Sequence, residues 1–162
     1  MHVGGTVDLL ELFDRSKLDI VLGFGRHAER PDGELIQVAL TQMIWLGGHT
    51  HAEAAEVPLV LLEPPCQFRN AVLTTLKESG RDHRILLETP HLPGLRAALR
   101  SGLGASARTT GYAAAAGLPI MAPGSLPALP ELPTILLKRR AAADAVDDLA
   151  ELLVQETRKT HD

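Results

Sequence analysis

The sequence predicts an α/β protein in which strands and helices alternate along the chain. Short apolar runs rich in Val, Ile and Leu, bounded by Gly or Pro, are typical of strands buried on both faces of a sheet. Helical spacing of apolar residues follows two of these runs, which is the strand–helix order of a parallel sheet. The chain of 162 residues is long enough for one core or two small lobes.

The first elements are a helix and a short strand. The helix is predicted to begin at Thr6, whose hydroxyl can cap it, and to end near Ser16. The apolar run 18–22 then predicts a buried strand. Residues 34–47 read ELIQVALTQMIWLG and have no Gly or Pro before the last position. Because strands average about 5 to 6 residues, we interpret this stretch as one or two strands that pass from one lobe to another.

Two strand–helix pairs follow in the middle of the chain. The run 58–63 (PLVLLE) predicts a strand, and a helix is expected from Cys66 to Gly80, where Gly suits the left-handed position after a helix. The run 83–88 predicts the next strand, and a helix with Pro in its first turn is expected over 92–102.

The last third of the chain is less regular. Residues 105–110 predict a weak strand, and 111–133 are rich in Ala, Gly and Pro without a clear period, so no element is predicted there. Residues 134–139 predict the last strand. Residues 141–158 predict an amphipathic helix with acidic residues early and basic residues late. Its expected buried face carries Ala142, Val146, Leu149 and Leu153.

A glycine motif after the first strand has the spelling of a dinucleotide-binding turn. Gly23, Gly25 and Ala28 have the required spacing, but such a turn must open a helix. The residues after Gly25 have no apolar period, and Pro31 interrupts them. We therefore interpret the stretch as a polar loop at the carboxyl end of a strand and predict no cofactor.

Other candidate sites are incomplete. His49 and His51 could bind a metal ion, but zinc needs three or four ligands and only Glu53 or Glu56 is near in sequence. We predict exposed loop histidines and no metal. Cys66 precedes a helix N-terminus, where a thiolate is favoured, and a nucleophile is conceivable. The alternative is a small residue lining a pocket, since no partner base is identifiable.

Composition excludes several classes of protein. The formal net charge of −4 provides no basic surface for phosphates, so this chain alone is not expected to bind nucleic acid strongly. No apolar run approaches the roughly 20 residues of a membrane span, and the first residues do not spell a signal peptide. A single cysteine agrees with a reducing cytoplasm. We expect a cytoplasmic protein without membrane contact.

The order of several phrases resembles the effector-binding domain of LysR-type transcriptional regulators. These phrases are GGTVDLLELFDRSKLDIVLGF, PLVLLEPPCQFRNAVLTTLKESGR, LPGLRAALRSGLGASART and LPALPELPTILLKRR. The words EPPCQFR and RSGLGASART are most similar to the branch that includes the HexA and PecT type repressors. The resemblance is supported mainly by the order and spacing of these segments along the chain.

The resemblance implies a periplasmic-binding-protein-like fold. Two Rossmann-like lobes would be joined by crossing strands, with lobe one formed by 1–47 and 130–162 and lobe two by 48–129. Relative to the family, this chain lacks the winged helix-turn-helix and also the first strand and helix of lobe one. We expect the open edge of lobe one either to recruit another chain or to be loosely ordered. A homo-oligomer is expected, with DNA contacted only through an N-terminal domain that is not present here.

The resemblance also implies which residues bind an effector between the lobes. Helix N-termini and arginines recur among them, so Arg26 and Arg69 are expected to grip a small anionic or aromatic acid. The alternative is that both form only surface ion pairs. The implied effector-binding residues are Phe24, Gly25, Arg26, Pro65, Cys66, Gln67, Phe68, Arg69, Thr89, Pro90, His91, Thr109 and Thr110.

The leading functional hypothesis is therefore the effector-sensing, oligomerising domain of a LysR-type regulator, which is not an enzyme. Two alternatives remain at this point. One is a free-standing solute-binding protein of the same fold, which would need an export signal. The other is a small α/β enzyme that uses Cys66.

Overall fold

Helices and strands alternate along the chain, as predicted. The computed structural model describes residues 1–140 and 143–159. In chain order the elements are α1 (Thr6–Asp14), β1 (Ile20–Phe24), β2 (Gly33–Leu46), α2 (His49–Glu53), β3 (Val57–Leu62), α3 (Gln67–Glu78), β4 (His83–Thr89), α4 (Leu92–Arg100), β5 (Ser106–Thr109), α5 (Thr110–Ala116), β6 (Glu131–Arg139) and α6 (Asp144–Lys159). Among the described residues, no helix is long and apolar enough to cross a bilayer.

The strand β2 contributes residues to two compact units. Unit 1 comprises Met1–Thr41 and Glu131–Asp162, and unit 2 comprises Gln42–Pro130. The division falls inside β2, which runs without interruption for 14 residues. The segment 34–47 was predicted to form one or two strands. It lies in one continuous strand, apart from Gly47.

Unit 1 is built on antiparallel pairing. Strand β1 pairs with β6 from Ile20 opposite Lys138 to Phe24 opposite Thr134, and β6 neighbours β2. Helix α1 places Phe13 in a buried apolar cluster with β1 and β6. The guanidinium of Arg139 lies 4.4 Å from the Phe13 ring centroid and donates a hydrogen bond to the Phe13 carbonyl oxygen. This contact joins α1 to β6.

Unit 2 contains the parallel strands that the sequence predicts. Strands β3 and β4 pair in parallel, and β5 pairs antiparallel with the second half of β2. The backbone of Ala105 joins these two parts, because its N–H donates to Pro58 O at 2.7 Å and its carbonyl accepts from Val60 N at 2.8 Å. A Cβ at Gly104 would lie only 2.7 Å from the Pro58 carbonyl oxygen. Glycine at 104 therefore permits this close approach.

Helices α3 and α4 end as predicted, and two short helices were not predicted. Gly80 has a φ of 66°, the left-handed value expected after α3. Helix α5 lies in the stretch for which no element was predicted. Its alanines favour a helix without producing a period, and Gly117 ends it in the left-handed conformation. The predicted loop around His49 and His51 is instead the one-turn helix α2.

Three local predictions were wrong or lie outside the described residues. Thr6 does not cap α1: Gly5 is the N-cap, and the Thr6 hydroxyl accepts a hydrogen bond from the Phe24 N–H at 3.1 Å. Leu149 is exposed, because α6 is rotated so that Ala150 faces the core. Ala142 lies outside the described residues, and α6 begins at Asp144.

Truncation of Leu59 tests the core of unit 2. Leu59 is fully buried on β3, so replacement by Ala should lower the free energy of unfolding by about 2 to 5 kcal/mol. Leu86 on β4 is exposed, and Leu86→Ala should change it by less than about 1 kcal/mol. Urea unfolding followed by the fluorescence of Trp45, the only tryptophan and a residue of unit 2, measures both. Equal losses in the two variants would contradict this core.

Candidate functional site

The N-terminus of α3 lies just after the carboxyl end of β3. The chain leaves β3 at Leu62, turns through Pro64 and Pro65, and enters the helix with Cys66 as N-cap. Cys66 makes no side-chain capping hydrogen bond. Amides of a first helical turn lack intrahelical acceptors and carry a partial positive charge. This end of α3 therefore attracts negative charge.

Arg108 on β5 is buried next to this helix end. Arg108 is 7% exposed, and its Nη1 lies 4.0 Å from Cys66 Sγ. The guanidinium carbon lies 4.7 Å from the ring centroid of Phe68 and 6.0 Å from that of Tyr112. These cation–π contacts partly replace the water that the charge has lost. Burial lowers the pKa of Arg108, while the Cys66 thiol acts in the opposite direction.

Helix α5 positions Tyr112 near the same arginine. Thr109 is the N-cap, and its hydroxyl accepts a hydrogen bond from the Tyr112 N–H at 3.1 Å. The phenol oxygen of Tyr112 lies 3.5 Å from the carbonyl oxygen of Leu92 at the start of α4. Burial raises the pKa of Tyr112 above its ordinary value, and the cations Arg108 and Arg96 offset part of that rise.

Arg69, which the resemblance assigns to the grip of an acid, has partners within unit 2. It forms an ion pair with Glu88 on β4 and donates a hydrogen bond to the Leu62 carbonyl oxygen at 3.2 Å. Glu88 is half-exposed, whereas Arg69 is mostly covered. The charge of Arg69 is thus balanced by a carboxylate of the chain itself.

The other expected residues of unit 2 surround three helix starts. Thr89 Oγ1 contacts His91 N and O at 3.5 and 3.4 Å, and His91 is the N-cap of α4. Pro65, Pro90 and Thr110 are exposed, and Gln67 is half-buried. Together with Cys66, Phe68 and Thr109, these residues place polar groups at the starts of α3, α4 and α5.

The expected residues of unit 1 form the loop after β1. Gly25 has a φ of 98° and Arg26 is exposed. His27 Nε2 donates to the Phe24 carbonyl oxygen at 3.0 Å. No helix follows in 26–32, which confirms the polar loop. The other motif glycine has a packing role, since a Cβ at Gly23 would lie 2.5 Å from Thr6 Cγ2.

Three residues of this part of unit 2 are not predicted from the sequence: Arg96, Arg108 and Tyr112. Arg108 stands directly before two expected residues, between Ala107 and Thr109, in a strand whose other side chains are small. A lone arginine among small, buried strand residues was the available signal. Metal binding has no support within 1–140 and 143–159, where no group of His, Cys, Asp or Glu side chains is arranged to hold an ion.

Comparisons with known proteins give one family and one fold. The sequence model described as the LysR substrate binding domain matches residues 1–158. Similar solved structures include the bromide-bound regulatory domain of HypT from Salmonella typhimurium, with a TM-score of 0.70, 9% identity, and coverage of 96% of this chain and 80% of that chain. The effector binding domain of QuiR in complex with shikimate has a TM-score of 0.69, 10% identity, and coverage of 98% and 80%. The regulatory domain of CcmR from Synechocystis PCC6803 in complex with 2-PG has a TM-score of 0.67, 12% identity, and coverage of 95% and 80%.

Titration of Tyr112 tests the geometry around Arg108. Tyr112 is the only tyrosine, so near-ultraviolet absorbance reports its ionisation alone. Its pKa should lie above 10.0, because burial disfavours the phenolate. Arg108→Met should raise this pKa further by removing a cation, and Arg84→Met, which removes an exposed arginine of β4, should leave it unchanged. Ionisation at the ordinary pKa, or no response to Arg108→Met, would contradict the described contacts.

Proposed function

We propose that this chain, which belongs to the LysR substrate-binding domain family, is the effector-sensing and oligomerisation domain of a bacterial transcription regulator. The observation that carries the proposal is the family match over residues 1–158. In such a regulator, effector binding changes the population of domain conformations and so the arrangement of attached DNA-binding domains. DNA would be contacted only through an N-terminal domain outside this chain.

The proposed effector is a small anionic or aromatic acid. Structures of similar regulatory domains contain shikimate, a small carboxylate, in one case and a bromide ion in another. In this chain, polar groups of unit 2 lie at the starts of α3 and α4, where a helix dipole favours anions, and at the start of the short helix α5. We propose the loop 24–26 of unit 1 and the residues at these helix starts as effector-binding residues. Among them, Arg26 and Arg69 are candidate carboxylate ligands.

Two further features belong to the proposal. The wording of EPPCQFR and RSGLGASART supports an assignment to the HexA/PecT-like branch. Homo-oligomer formation is also proposed, since closed symmetric homo-oligomers are common among soluble proteins. DNA contact through a further domain is supported by the full-length relative CbnR, which was solved as a complex with its target DNA and of which this chain covers 59%.

The contacts of Cys66 do not favour an enzyme that uses this thiol. The polar group that the structure places against Sγ is the Arg108 guanidinium, at 4.0 Å. A guanidinium is always protonated and cannot accept the thiol proton. This contact therefore supplies no general base for nucleophilic catalysis, although a neighbouring cation is another way of activating a cysteine. We propose Cys66 as a residue of the binding surface, and the turnover measurement below tests the enzyme alternative.

A calorimetric screen of small carboxylates tests the proposed function. The purified chain is titrated with aliphatic and aromatic acids, each paired with its neutral amide. At least one acid should bind and its amide should not, because the helix N-termini and arginines favour the carboxylate charge. If no acid binds, the effector proposal is wrong. If a bound acid is instead consumed, and Cys66→Ser abolishes its turnover, the protein is the enzyme of the alternative hypothesis.

A further inference from the structure

Two buried arginine nitrogens in unit 2 have no hydrogen-bond partner. Among the described residues, the buried side-chain N and O atoms without a partner are Arg96 Nε and Arg108 Nε. Both arginines act electrostatically on the same phenol, that of Tyr112, and therefore belong to one part of the unit. Neither takes part in an ion pair of the described chain. This part of unit 2 thus holds positive charge without a matching carboxylate.

Arg108 differs in its contacts from most of the partly buried arginines. Four of these donate to carboxylate or carbonyl oxygens of the chain: Arg30, Arg69, Arg81 and Arg139. The contacts of Arg108 are a thiol and two aromatic rings, and none is an oxygen. Arginine is almost never fully buried unless it is paired. An oxygen acceptor would give Arg108 Nε the hydrogen-bond partner that the described residues do not provide.

The unsatisfied arginine lies at the uncapped start of α3. Its Nη1 is 4.0 Å from Sγ of Cys66, the N-cap residue, and Cys66 itself caps no amide. The guanidinium and the positive end of the helix dipole therefore act on the same volume. Both favour an anion there, and charge-assisted hydrogen bonds from arginine to a carboxylate are among the strongest in proteins.

We infer that Arg108 binds the carboxylate of an aromatic acid at the start of α3. The rings of Phe68 and Tyr112 lie on the guanidinium and supply apolar surface for the body of such a ligand. The Nε edge of Arg108 provides the free donor for a two-point contact with a carboxylate. The inference rests on the proposed effector-sensing function and names its chemical class and its anchoring residue.

The expected effect of buried Arg108 on the stability of the fold also supports ligand binding by this residue. Burial lowers the pKa of this arginine, so its surroundings disfavour the charge that it carries. A buried charge without an ionic partner destabilises a fold, and replacement by an apolar side chain of similar volume is often stabilising. If Arg108 served only in packing, its replacement by an apolar side chain would instead lower the stability of the unliganded chain.

The direct test uses benzoate, benzamide and inorganic phosphate as probes of the wild-type chain. In isotope-labelled protein, proton–nitrogen correlation NMR follows the Nε–H signal of Arg108, assigned by its loss in Arg108→Lys. Benzoate should shift this signal in a saturable manner, and benzamide, which has the same ring without the charge, should not. A shift with phosphate but not with benzoate would overturn the carboxylate class. No shift with either anion would overturn the site.

Variants then test the role of the charge and its geometry. Arg108→Met should weaken benzoate binding by about 10- to 100-fold and raise the melting temperature of the unliganded chain. Arg108→Lys should weaken binding as well, because an ammonium cannot make the two-point contact. Arg84→Met is the matched control on an exposed arginine and should change neither quantity. Arg69→Met should weaken binding less than Arg108→Met, since Glu88 already balances Arg69.

The outcomes separate this inference from the proposed function. If benzoate or another acid of the screen binds and Arg108→Met keeps the wild-type affinity, the inference is wrong and the effector-sensing proposal stands. If Arg69→Met abolishes binding and Arg108→Met does not, the carboxylate belongs to Arg69. If neither benzoate nor any acid of the screen binds, both fail.

Discussion

The pairing of Ala105 with β3 positions the whole candidate site of unit 2. Two short backbone hydrogen bonds, to Pro58 O and from Val60 N, hold this segment against β3 at the place where Gly104 leaves room for the approach. Strand β5 continues from Ala105 and pairs on its other side with β2. Because β3 leads to the start of α3 and β5 leads to the start of α5, this single pairing brings Cys66, Arg108 and Tyr112 together.

The consequence of this arrangement is a buried charge that the chain does not neutralise. Arg108 is covered by rings from α3 and α5, and its guanidinium contacts a thiol. A fold selected only for stability would place an apolar residue or a carboxylate partner here. The nearby pair of Arg69 and Glu88 shows that unit 2 does match arginine with acid elsewhere. The difference between these two arginines is the physical basis for assigning ligand binding to Arg108.

Much of the fold could be predicted because its strands are continuous apolar runs ended by Gly or Pro. Strands β3 and β4 and helices α3 and α4 follow this rule closely. Helix α5 could not be predicted from periodicity, since a run of alanines is compatible with burial on any side. Arg108 was missed because a charged residue in a short strand reads as exposed. Its burial depends on pairing with strands that are distant in sequence, and so does the partnership of Arg69 with Glu88.

The position of a bound acid in a crystal shows directly whether Arg108 holds its carboxylate. A crystal of the chain with bromobenzoate gives an anomalous signal that locates the bromine, and the electron density then orients the carboxylate. We expect carboxylate oxygens within hydrogen-bond distance of Arg108 Nε, with the ring against Phe68 or Tyr112. A bound acid whose carboxylate contacts Arg69 or Arg26 and leaves Arg108 without an oxygen partner would contradict this expectation.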